Sequence, residues 1–331
     1  MIELIKDFKL IKEMPKEEWQ KIINNQKSFF KNRQFPRFFQ SYLYLKSERR
    51  YFYYGYIDDC FILIKKKKEF GNKICYLVLP PLSLDGNLSK ELDLINKFSD
   101  FGIKTKVSDE DIILYNIEKK SLLKDKDNIE MIYDLDHYNN FNSRDLSNFR
   151  YSTNLLNKSG LNCEVLTKLS DEDISNTTEQ LKSWSKKKRE KGIKSEGDHC
   201  HLWFNDHENL FFKISNSRNQ IITSSIVEKI DDFKYILTTN YYNYDLAVPK
   251  LDIIKANHWW IMNYLPNGSL LNSGSGGWDK GLTQHKRNLR PVKELQIFET
   301  KNKRKLTEEE YQSICIGGEL LPLKSGRFLS L

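Results

Sequence analysis

The stretch from Leu270 to Phe298 constrains the fold more than any other part of this chain. It begins as a short apolar run, opens into small residues at 272–277, and continues into a helical pattern that ends in His285, Lys286 and Arg287. Glycines let backbone N–H groups approach a ligand closely, and the N-terminus of the following helix adds unpaired donors and partial positive charge. The spacing fits neither the phosphate loop nor the dinucleotide fingerprint. It predicts an anion- or acyl-binding layout, with an ordinary flexible turn as the alternative.

Length and charge bound the organisation of the chain and its partners. A chain of 331 residues is long for one hydrophobic core, so we predict two domains, residues 1–160 and 161–331. The formal net charge of +8 indicates a basic surface that favours anionic partners such as tRNA, phospholipid head groups or the phosphates of coenzyme A. The charge does not choose among them.

The cysteines and the hydropathy pattern indicate the compartment. The five cysteines are scattered without a CxxC pair, which argues against a disulfide framework and a zinc site and fits a reducing cytoplasm. No run of about 18 apolar residues is present, so we predict no transmembrane segment. We expect a cytoplasmic protein whose membrane contact is at most peripheral, at an anionic inner face.

In the first half, residues 1–160, the pattern predicts an antiparallel meander with flanking helices. Short β-branched and aromatic runs predict strands at Tyr42–Leu45, Tyr51–Ile57, Cys60–Ile64, Cys75–Leu79, Ile103–Val107 and Met131–Leu135. Apolar periodicity predicts helices at Pro15–Phe30, Leu88–Phe98 and Tyr138–Lys158, and a further one capped by Ser108 with Asp111. The run Lys65–Lys68 is predicted to be a solvated hairpin end.

The second half, residues 161–331, repeats this layout. Strands are predicted at Cys163–Leu166, Gln220–Lys229 and Phe233–Tyr241. Helices are predicted from Ser170 through Trp184, at His201–Phe212 and at Val248–Tyr264. The last of these leads into the small residues at 272–277, which we call the glycine segment.

Several pieces, in this order, carry a resemblance to a known family. In the first half they are YLVLPPL at Tyr76–Leu82, Glu110 in SDEDI, and Asn128–Arg150, where a Tyr-Asp strand leads into a basic helix. In the second half they are the paired strands, the helix behind them, the glycine segment, Gly281-Leu282 and His285-Lys286. Over about residues 15 to 315 the chain resembles the tandem acetyltransferase-like (GNAT-fold) domains of the FemABX peptidoglycan aminoacyltransferases. It resembles the C-terminal catalytic domain of phosphatidylglycerol lysyltransferases more closely still.

The resemblance implies a fold and an activity. The fold is α+β, with two tandem GNAT-like domains, each a mixed, mostly antiparallel sheet flanked by helices, and with the active cleft in the second. The activity is that of an aminoacyl- or acyltransferase that moves an activated acyl group, from aminoacyl-tRNA or an acyl-CoA, directly to an amine or hydroxyl acceptor without a cofactor. The pyrophosphate motif R/Q-x-x-G-x-G/A is absent, which disfavours ordinary acetyl-CoA use.

Aminoacyl transfer needs a group that stabilises the developing oxyanion and a group that takes the amine proton. The resemblance places Lys286 at the helix lysine that contacts the anionic part of the donor, and His285 beside it is a candidate proton shuttle. The candidate substrate-binding residues are Asn272, Ser273, Gly274, Gly276, Gly277, Tyr241, Trp184 and Arg150. We expect a bulky residue at Gly276 to abolish activity while leaving folding largely intact.

A group of acidic residues and histidines lies before and within the predicted helix at 201–212. Its members are Glu196, Asp198, His199, His201 and His207. No HxxxH or HExxH spacing is present, so we predict no metal site here. Glu196 and Asp198 are instead candidates for recognising the amino group of an amino acid or peptide.

Three hypotheses for function stay open at this point. The first is an aminoacyl-tRNA-dependent transferase, and the second is an acyltransferase that uses a CoA or carrier-protein thioester. The third is a catalytically inactive tandem domain that binds RNA or an anionic polymer through its basic face.

Overall fold

A computed structural model describes residues 1–15, 17–22, 33–47, 52–69, 72–139, 146–190, 199–206, 208–246, 248–277 and 280–314. The strands are β1 (Lys9–Leu10), β2 (Phe52–Ile57), β3 (Cys60–Glu69), β4 (Asn72–Leu77), β5 (Leu82–Ser83), β6 (Lys104–Ser108), β7 (Leu122–Asp134), β8 (Asn162–Leu166), β9 (Asn209–Ser215), β10 (Ile221–Asp231), β11 (Lys234–Tyr242), β12 (Leu270–Ser275) and β13 (Lys293–Thr300). The helices are α1 (Ile2–Ile5), α2 (17–22), α3 (Tyr42–Ser47), α4 (Leu88–Phe101), α5 (Asp109–Leu114), α6 (Leu135–Asn139), α7 (Ser147–Lys158), α8 (Asp171–Glu190), α9 (Ile253–Tyr264), α10 (Lys280–Asn288) and α11 (Glu308–Ser313). Short 3-10 helices include Phe38–Gln40 and Cys200–Asp206.

One mixed sheet runs through both halves of the chain. Its strand order is β1-β2-β3-β4-β6-β13-β7-β12-β11-β10-β9-β8, and β5 pairs with β3. Each half contains one parallel pair, β4 with β6 and β11 with β12, joined by a crossover helix, α4 or α9. At the centre, β13 of the second half lies between β6 and β7, while β7 of the first half lies between β13 and β12. The two halves therefore have the same strand order and exchange one strand, while the division at residue 160 stays a prediction.

Hydrophobic side chains cover both faces of the second-half sheet. On one face, Ile261 and Met262 of α9 pack with Leu271 of β12 and Tyr133 of β7 in a buried cluster. On the other face, Ile226 of β10 packs in a cluster that includes residues of α3 and of the 3-10 helix Cys200–Asp206. The first-half strand β7 is thus an integral part of the second-half core.

Local capping signals place several helix starts where the sequence predicts them. The Ser108 hydroxyl accepts from the Asp111 N–H at 3.1 Å, and the Ser170 hydroxyl accepts from the Asp173 N–H at 3.1 Å. The Asn87 side chain caps α4 in the same way. Within the part of the chain that the structure describes, no helix has both the length and the apolar composition needed to cross a bilayer.

Tertiary contacts override local propensity at three places. The run Tyr42–Leu45 is helical, not a strand, because the buried carboxylate of Glu228 accepts from the N–H groups of Tyr42 and Leu43 at the first turn. The predicted helix at 201–212 is a 3-10 helix followed by strand β9. Of the helix predicted at 138–158, the structure describes the end of α6 and the whole of α7, and residues 140–145 lie outside the described part.

The third place is the lysine run. Lys65 and Lys66 lie inside β3 and are buried, so the prediction of a solvated hairpin end is wrong for these two lysines. The Lys65 ammonium lies 4.5 Å from the ring centre of Phe52, and the Lys66 ammonium donates to the carbonyl of Ile314 at 2.5 Å. A ring face and a chain carbonyl therefore replace water at these two ammonium groups.

Candidate functional site

The parallel strands β11 and β12 separate part-way along their length. They pair only at Lys234 with Leu270, Tyr235 with Leu271 and Ile236 with Asn272. Beyond these positions β11 continues to Tyr242 and β12 to Ser275 without pairing to each other. We call the space between residues 237–242 of β11 and residues 273–275 of β12 the cleft. Along these residues the two strands do not satisfy each other's backbone groups, and on the β12 edge the carbonyls of Ser273 and Ser275 accept from the Lys286 ammonium instead.

A β-bulge lies on the β11 edge of the cleft. Thr239 pairs with Ile226 and Leu237 pairs with Val227, so Thr238 is an extra residue with no partner on β10. Such a bulge takes one residue out of the ladder and redirects its backbone and side chain. The sequence analysis missed Thr238, although polar Thr-Thr-Asn at 238–240, inside an otherwise apolar strand, was an available signal.

Buried polar atoms without a hydrogen-bond partner among the described residues lie around the cleft. They include Thr239 Oγ1, Asn257 Oδ1 and His258 Nδ1. The other end of the Asn257 amide donates to Ser225 Oγ at 2.7 Å. Burial lowers the pKa of His258 to about 3, so its imidazole is neutral at ordinary pH. Native interiors seldom leave such atoms unsatisfied, and a ligand or water supplies the missing partner.

The glycine segment begins with an amide that the protein itself uses fully. Asn272 Nδ2 donates to Glu130 Oε2 at 2.7 Å and to the Pro36 carbonyl at 2.6 Å, and its Oδ1 accepts from the Gly274 N–H at 2.7 Å. The Asn272 side chain therefore fixes the end of β12 against the first half. Ser273, the next residue, is buried.

The three glycines of the segment have different surroundings. Gly274 has a φ of +69°, and a Cβ there would lie 2.8 Å from the Phe38 ring. A Cβ at Gly276 would lie 2.6 Å from the backbone nitrogen of Thr283, because α10 packs directly on this residue. The expectation that a bulky residue at Gly276 leaves folding intact is therefore wrong. Gly277 has a φ of +57°, and a Cβ there would meet no heavy atom within 4 Å among the residues that the structure describes.

Lys286 reaches the glycine segment from α10. Its ammonium donates to the carbonyl of Ser275 at 2.9 Å and to the carbonyl of Ser273. Burial lowers the pKa of Lys286 to about 8, and the opposing influence comes from Glu130. The neighbouring His285 is half-buried, and burial lowers its pKa as well, against the pull of Asp252. Both candidate catalytic residues are thus half-buried, with the Lys286 ammonium held against the glycine segment.

A buried network of charges in the first half includes Glu130, the carboxylate whose charge opposes the lowering of the Lys286 pKa. Arg33 binds Asp111 at 2.7 Å and Glu91 at 3.3 Å. Arg37 binds Asp111 at 2.9 Å and Glu130 at 3.4 Å. Burial would raise the pKa of Asp111, but Arg33 and Arg37 hold it below its ordinary value.

This network lies at the C-terminal end of β6, where Ser108 and Asp111 begin α5. The corresponding end in the second half is that of β12, next to the cleft. In the first half the equivalent position is therefore filled by the protein's own arginines and carboxylates. The sequence analysis named none of these residues as functional.

The remaining sequence candidates lie on both sides of the sheet. The Trp184 ring on α8 lies 5.4 Å from the ring of Tyr241, and Gln180 of α8 donates to the Tyr241 carbonyl at 3.4 Å. Arg150 is exposed on α7, which packs against α9. The structure therefore brings Trp184 and Tyr241 together, separately from the group of Lys286, His285 and the glycine segment.

Of the acidic and histidine group, Glu196, Asp198 and His207 lie outside the described residues. His201 Nε2 lies 2.9 Å from Thr178 Oγ1, and burial lowers its pKa to about 4. Its environment is that of a buried packing residue.

A cavity of about 470 Å³ adjoins the α8 side of this region. Its wall includes Glu172, Asn176 and Gln180 of α8, and Asn243 and Asp245, which follow β11. Because Gln180 also contacts Tyr241, the cavity lies next to the Trp184–Tyr241 pair.

Comparison with known proteins gives structural likenesses at low sequence identity. No protein-family model and no curated protein matches the chain. A conserved protein of unknown function from Bacteroides thetaiotaomicron matches with a TM-score of 0.64 and 12% identity, over 88% of this chain and 98% of that one. L-PGS from Bacillus licheniformis matches with a TM-score of 0.59 and 14% identity, over 89% and 97%.

The C-terminal domain of a putative lysylphosphatidylglycerol synthetase from Agrobacterium fabrum matches with a TM-score of 0.60 and 12% identity, over 86% and 92%. At these identities the likeness concerns the fold. Together with the strand order, it shows that this chain has the predicted α+β tandem GNAT-like fold, shared with L-PGS and with the C-terminal domain of the lysylphosphatidylglycerol synthetase.

Proposed function

We propose that this protein is an acyltransferase that moves an activated aminoacyl group directly to an amine or hydroxyl acceptor in the cleft. The observation that carries the proposal is the separation of β11 and β12 beside the bulged Thr238, with buried, unpartnered polar atoms around the opening. Such a constellation fits an extended acyl donor whose carbonyl lies against the bulged strand. The reaction would take place in the second half only, because the equivalent place in the first half is filled by its own charge network.

The transfer chemistry requires stabilisation of the oxyanion that forms when the acceptor attacks the acyl carbonyl. The ammonium of Lys286, at the edge of the glycine segment, is a positive charge within the same desolvated region. Preorganised charge in such a region contributes strongly, because no water has to reorganise during the reaction. Lys286 is therefore proposed to hold the anionic part of the donor or of the transition state, and His285 to exchange a proton beside it.

Direct attack is proposed in preference to a covalent intermediate. A serine nucleophile needs a basic partner within hydrogen-bond reach. Ser224 Oγ donates to Gln180 Oε1 at 2.5 Å and Ser225 Oγ to Asn240 Oδ1 at 3.2 Å, so both β10 serines face amides. Positioning of donor and acceptor in one complex is then the main source of acceleration.

Two observations support an aminoacyl donor. The net charge of +8 favours a polyanion such as tRNA. One of the similar structures is named as part of a lysylphosphatidylglycerol synthetase, a name that joins a lysyl group to an anionic lipid. The substrate-binding residues proposed for this chain are those of the glycine segment, with Gly277 as the open position, and the Trp184–Tyr241 pair.

The test is transfer from a mixture of tRNAs charged with radioactive amino acids and, separately, from a panel of acyl-CoAs. Acceptors are vesicles that contain phosphatidylglycerol and a set of peptides with free amines. Transfer from charged tRNA is the expected result, and the acceptor arm shows whether the protein acts at an anionic membrane surface.

If the protein transfers an acyl group only from acyl-CoA, the donor is a thioester and the proposed aminoacyl-tRNA donor is wrong. Salt-sensitive binding of tRNA without any turnover would favour the non-enzymatic hypothesis.

A further inference from the structure

Glu228 is a buried carboxylate on β10 that the proposed function does not use. It has no exposed surface, and its partners come from the start of α3 in the first half. Its Oε2 accepts from Ser41 Oγ at 2.6 Å and from the Leu43 N–H at 3.3 Å, and its Oε1 accepts from the Tyr42 N–H at 2.8 Å. These donors carry no charge.

A carboxylate is costly to bury when no cation compensates it. The titratable groups on the packed α3 and 3-10 helix include Tyr42, Tyr44 and Lys46 on α3 and Cys200, His201 and Asp206 on the 3-10 helix. Asn209 of β9 and Ile236 of β11 face Glu228 in the sheet. Lys46 donates to the Met14 carbonyl at 3.1 Å. The neighbouring Lys229 pairs with Asp232 at 3.2 Å. The described cations near Glu228 are therefore engaged elsewhere.

A chain of hydroxyl groups links Glu228 to the cleft. Ser41 Oγ, which donates to Glu228, also lies 3.3 Å from Thr238 Oγ1. Thr238 is the bulged residue on the cleft edge of β11. The Thr238 hydroxyl can donate to Ser41 while Ser41 donates to Glu228, so the chain is aligned for proton transfer toward the carboxylate.

We propose that Glu228 accepts the proton released by the attacking amine, through the hydroxyls of Thr238 and Ser41. This inference rests on the proposed acyl transfer. The amine nitrogen forms a bond to the acyl carbon, and the bond from that carbon to the donor oxygen breaks. The nitrogen loses a proton to Thr238, whose own proton passes to Ser41, whose proton passes to Glu228. Glu228 then returns a proton along the same chain to the leaving oxygen, so that protons balance over one turnover.

The acidity of Glu228 is suited to this exchange. Burial raises its pKa to about 7, and the donors Ser41, Tyr42 and Leu43 oppose that rise. A proton acceptor works best when its pKa lies near the operating pH. Activity should then fall as the pH drops below about 7, because the carboxyl becomes protonated.

Glu228 also holds the first turn of α3, so the experiment must separate proton transfer from anchoring. Glu228→Gln keeps the shape and one acceptor oxygen but cannot take the proton. Thr238→Val breaks the hydroxyl chain and leaves every contact of Glu228 with α3 in place. The matched control is Thr177→Val, a buried threonine on α8 whose hydroxyl donates to the Asp173 carbonyl at 2.7 Å.

The assay is the pH dependence of kcat for transfer from charged tRNA, between about pH 5.5 and 9, with thermal unfolding of each variant. Wild type should show an acid limb near pH 7. Glu228→Gln and Thr238→Val should each lower kcat by roughly a hundredfold and lose that limb, while Thr177→Val keeps both.

An unchanged kcat or an unchanged acid limb in a folded Glu228→Gln or Thr238→Val would overturn the relay. If Glu228→Gln does not fold, Thr238→Val decides alone. A wild-type protein that transfers nothing from charged tRNA or acyl-CoA would instead refute the proposed function, so the two failures are distinguishable.

Discussion

Replacing Lys286 by methionine should change both the pH dependence of stability and the activity. The methionine keeps the length and apolar stem of the side chain and removes the ammonium that donates to the Ser273 and Ser275 carbonyls. Keeping this ammonium charged destabilises the folded state, because burial lowers its pKa from 10.5 to about 8. Between these two values the unfolded chain binds more protons than the folded one, so wild-type stability should rise with pH there.

The size of this effect follows from the two pKa values. Proton linkage with 10.5 in the unfolded chain and about 8 in the folded one makes the folded state less stable by about 3 kcal/mol at pH 7. The same linkage gives about 1 kcal/mol at pH 10, so wild type should gain about 2 kcal/mol relative to Lys286→Met between pH 7 and pH 10. Subtracting the free energy of unfolding of Lys286→Met from that of wild type at each pH cancels the titration of the other groups.

The measurement is guanidinium unfolding of both proteins at several pH values, together with kcat at neutral pH. We expect turnover of Lys286→Met to fall roughly a hundredfold, as for the loss of one preorganised charge. Lys280→Met, which removes an exposed ammonium at the start of α10, should leave both the pH difference and kcat near wild type. A stability difference that stays flat from pH 7 to pH 10 would refute the description of Lys286 as a desolvated amine.

Three further predictions concern the surroundings of the cleft. Asp111→Asn removes the negative charge that Arg33 and Arg37 share, so we expect denaturant titration to show a loss of about 3–5 kcal/mol in the free energy of unfolding. A loss below about 1 kcal/mol would mean that the two guanidinium groups are solvated. Gly276→Val places a side chain against the α10 backbone and should lower both the melting temperature and the activity. Gly277→Ala, at an open position with positive φ, should lower the free energy of unfolding by only about 1–2 kcal/mol. The same melting temperature for both variants would contradict the contact between Gly276 and α10. Tyr133→Phe removes the hydroxyl that donates to the Lys286 carbonyl at 2.9 Å, and a loss of about 0.5–1.5 kcal/mol is expected in the same titration; no loss would show that this bond does not hold α10.

Short-range sequence patterns determine the positions of many helices and strands. The caps at Ser108 and Ser170 begin helices where the sequence predicts them, because capping involves residues only three positions apart. The β-branched runs of β10 and β11 and the strand, glycine turn and helix at 270–288 also follow from local periodicity. Lys286 was placed at the site by resemblance, and the structure brings it to the glycine segment.

The rest depends on contacts between distant residues. The Tyr42–Leu45 run looks like a strand by composition, yet it is helical because Glu228, 186 residues from Tyr42, accepts from its first turn. The bulge at Thr238 arises because β11 has one more residue than β10 between two paired positions, and this difference cannot be read from either strand's sequence alone. Arg37 and Glu130 lie 93 positions apart, and neither looks functional alone.

By itself, the sequence determined the capped helix starts, most of the strand runs and the resemblance that implied the fold, because these depend on periodicity, caps and order along the chain. Only the tertiary structure decided that β7 and β13 change halves, that the first-half position is closed by charges, and that Ser41 joins Glu228 to the cleft. The physical reason is that burial creates these features. A carboxylate or an ammonium acquires its unusual pKa only when the fold removes it from water and chooses its neighbours.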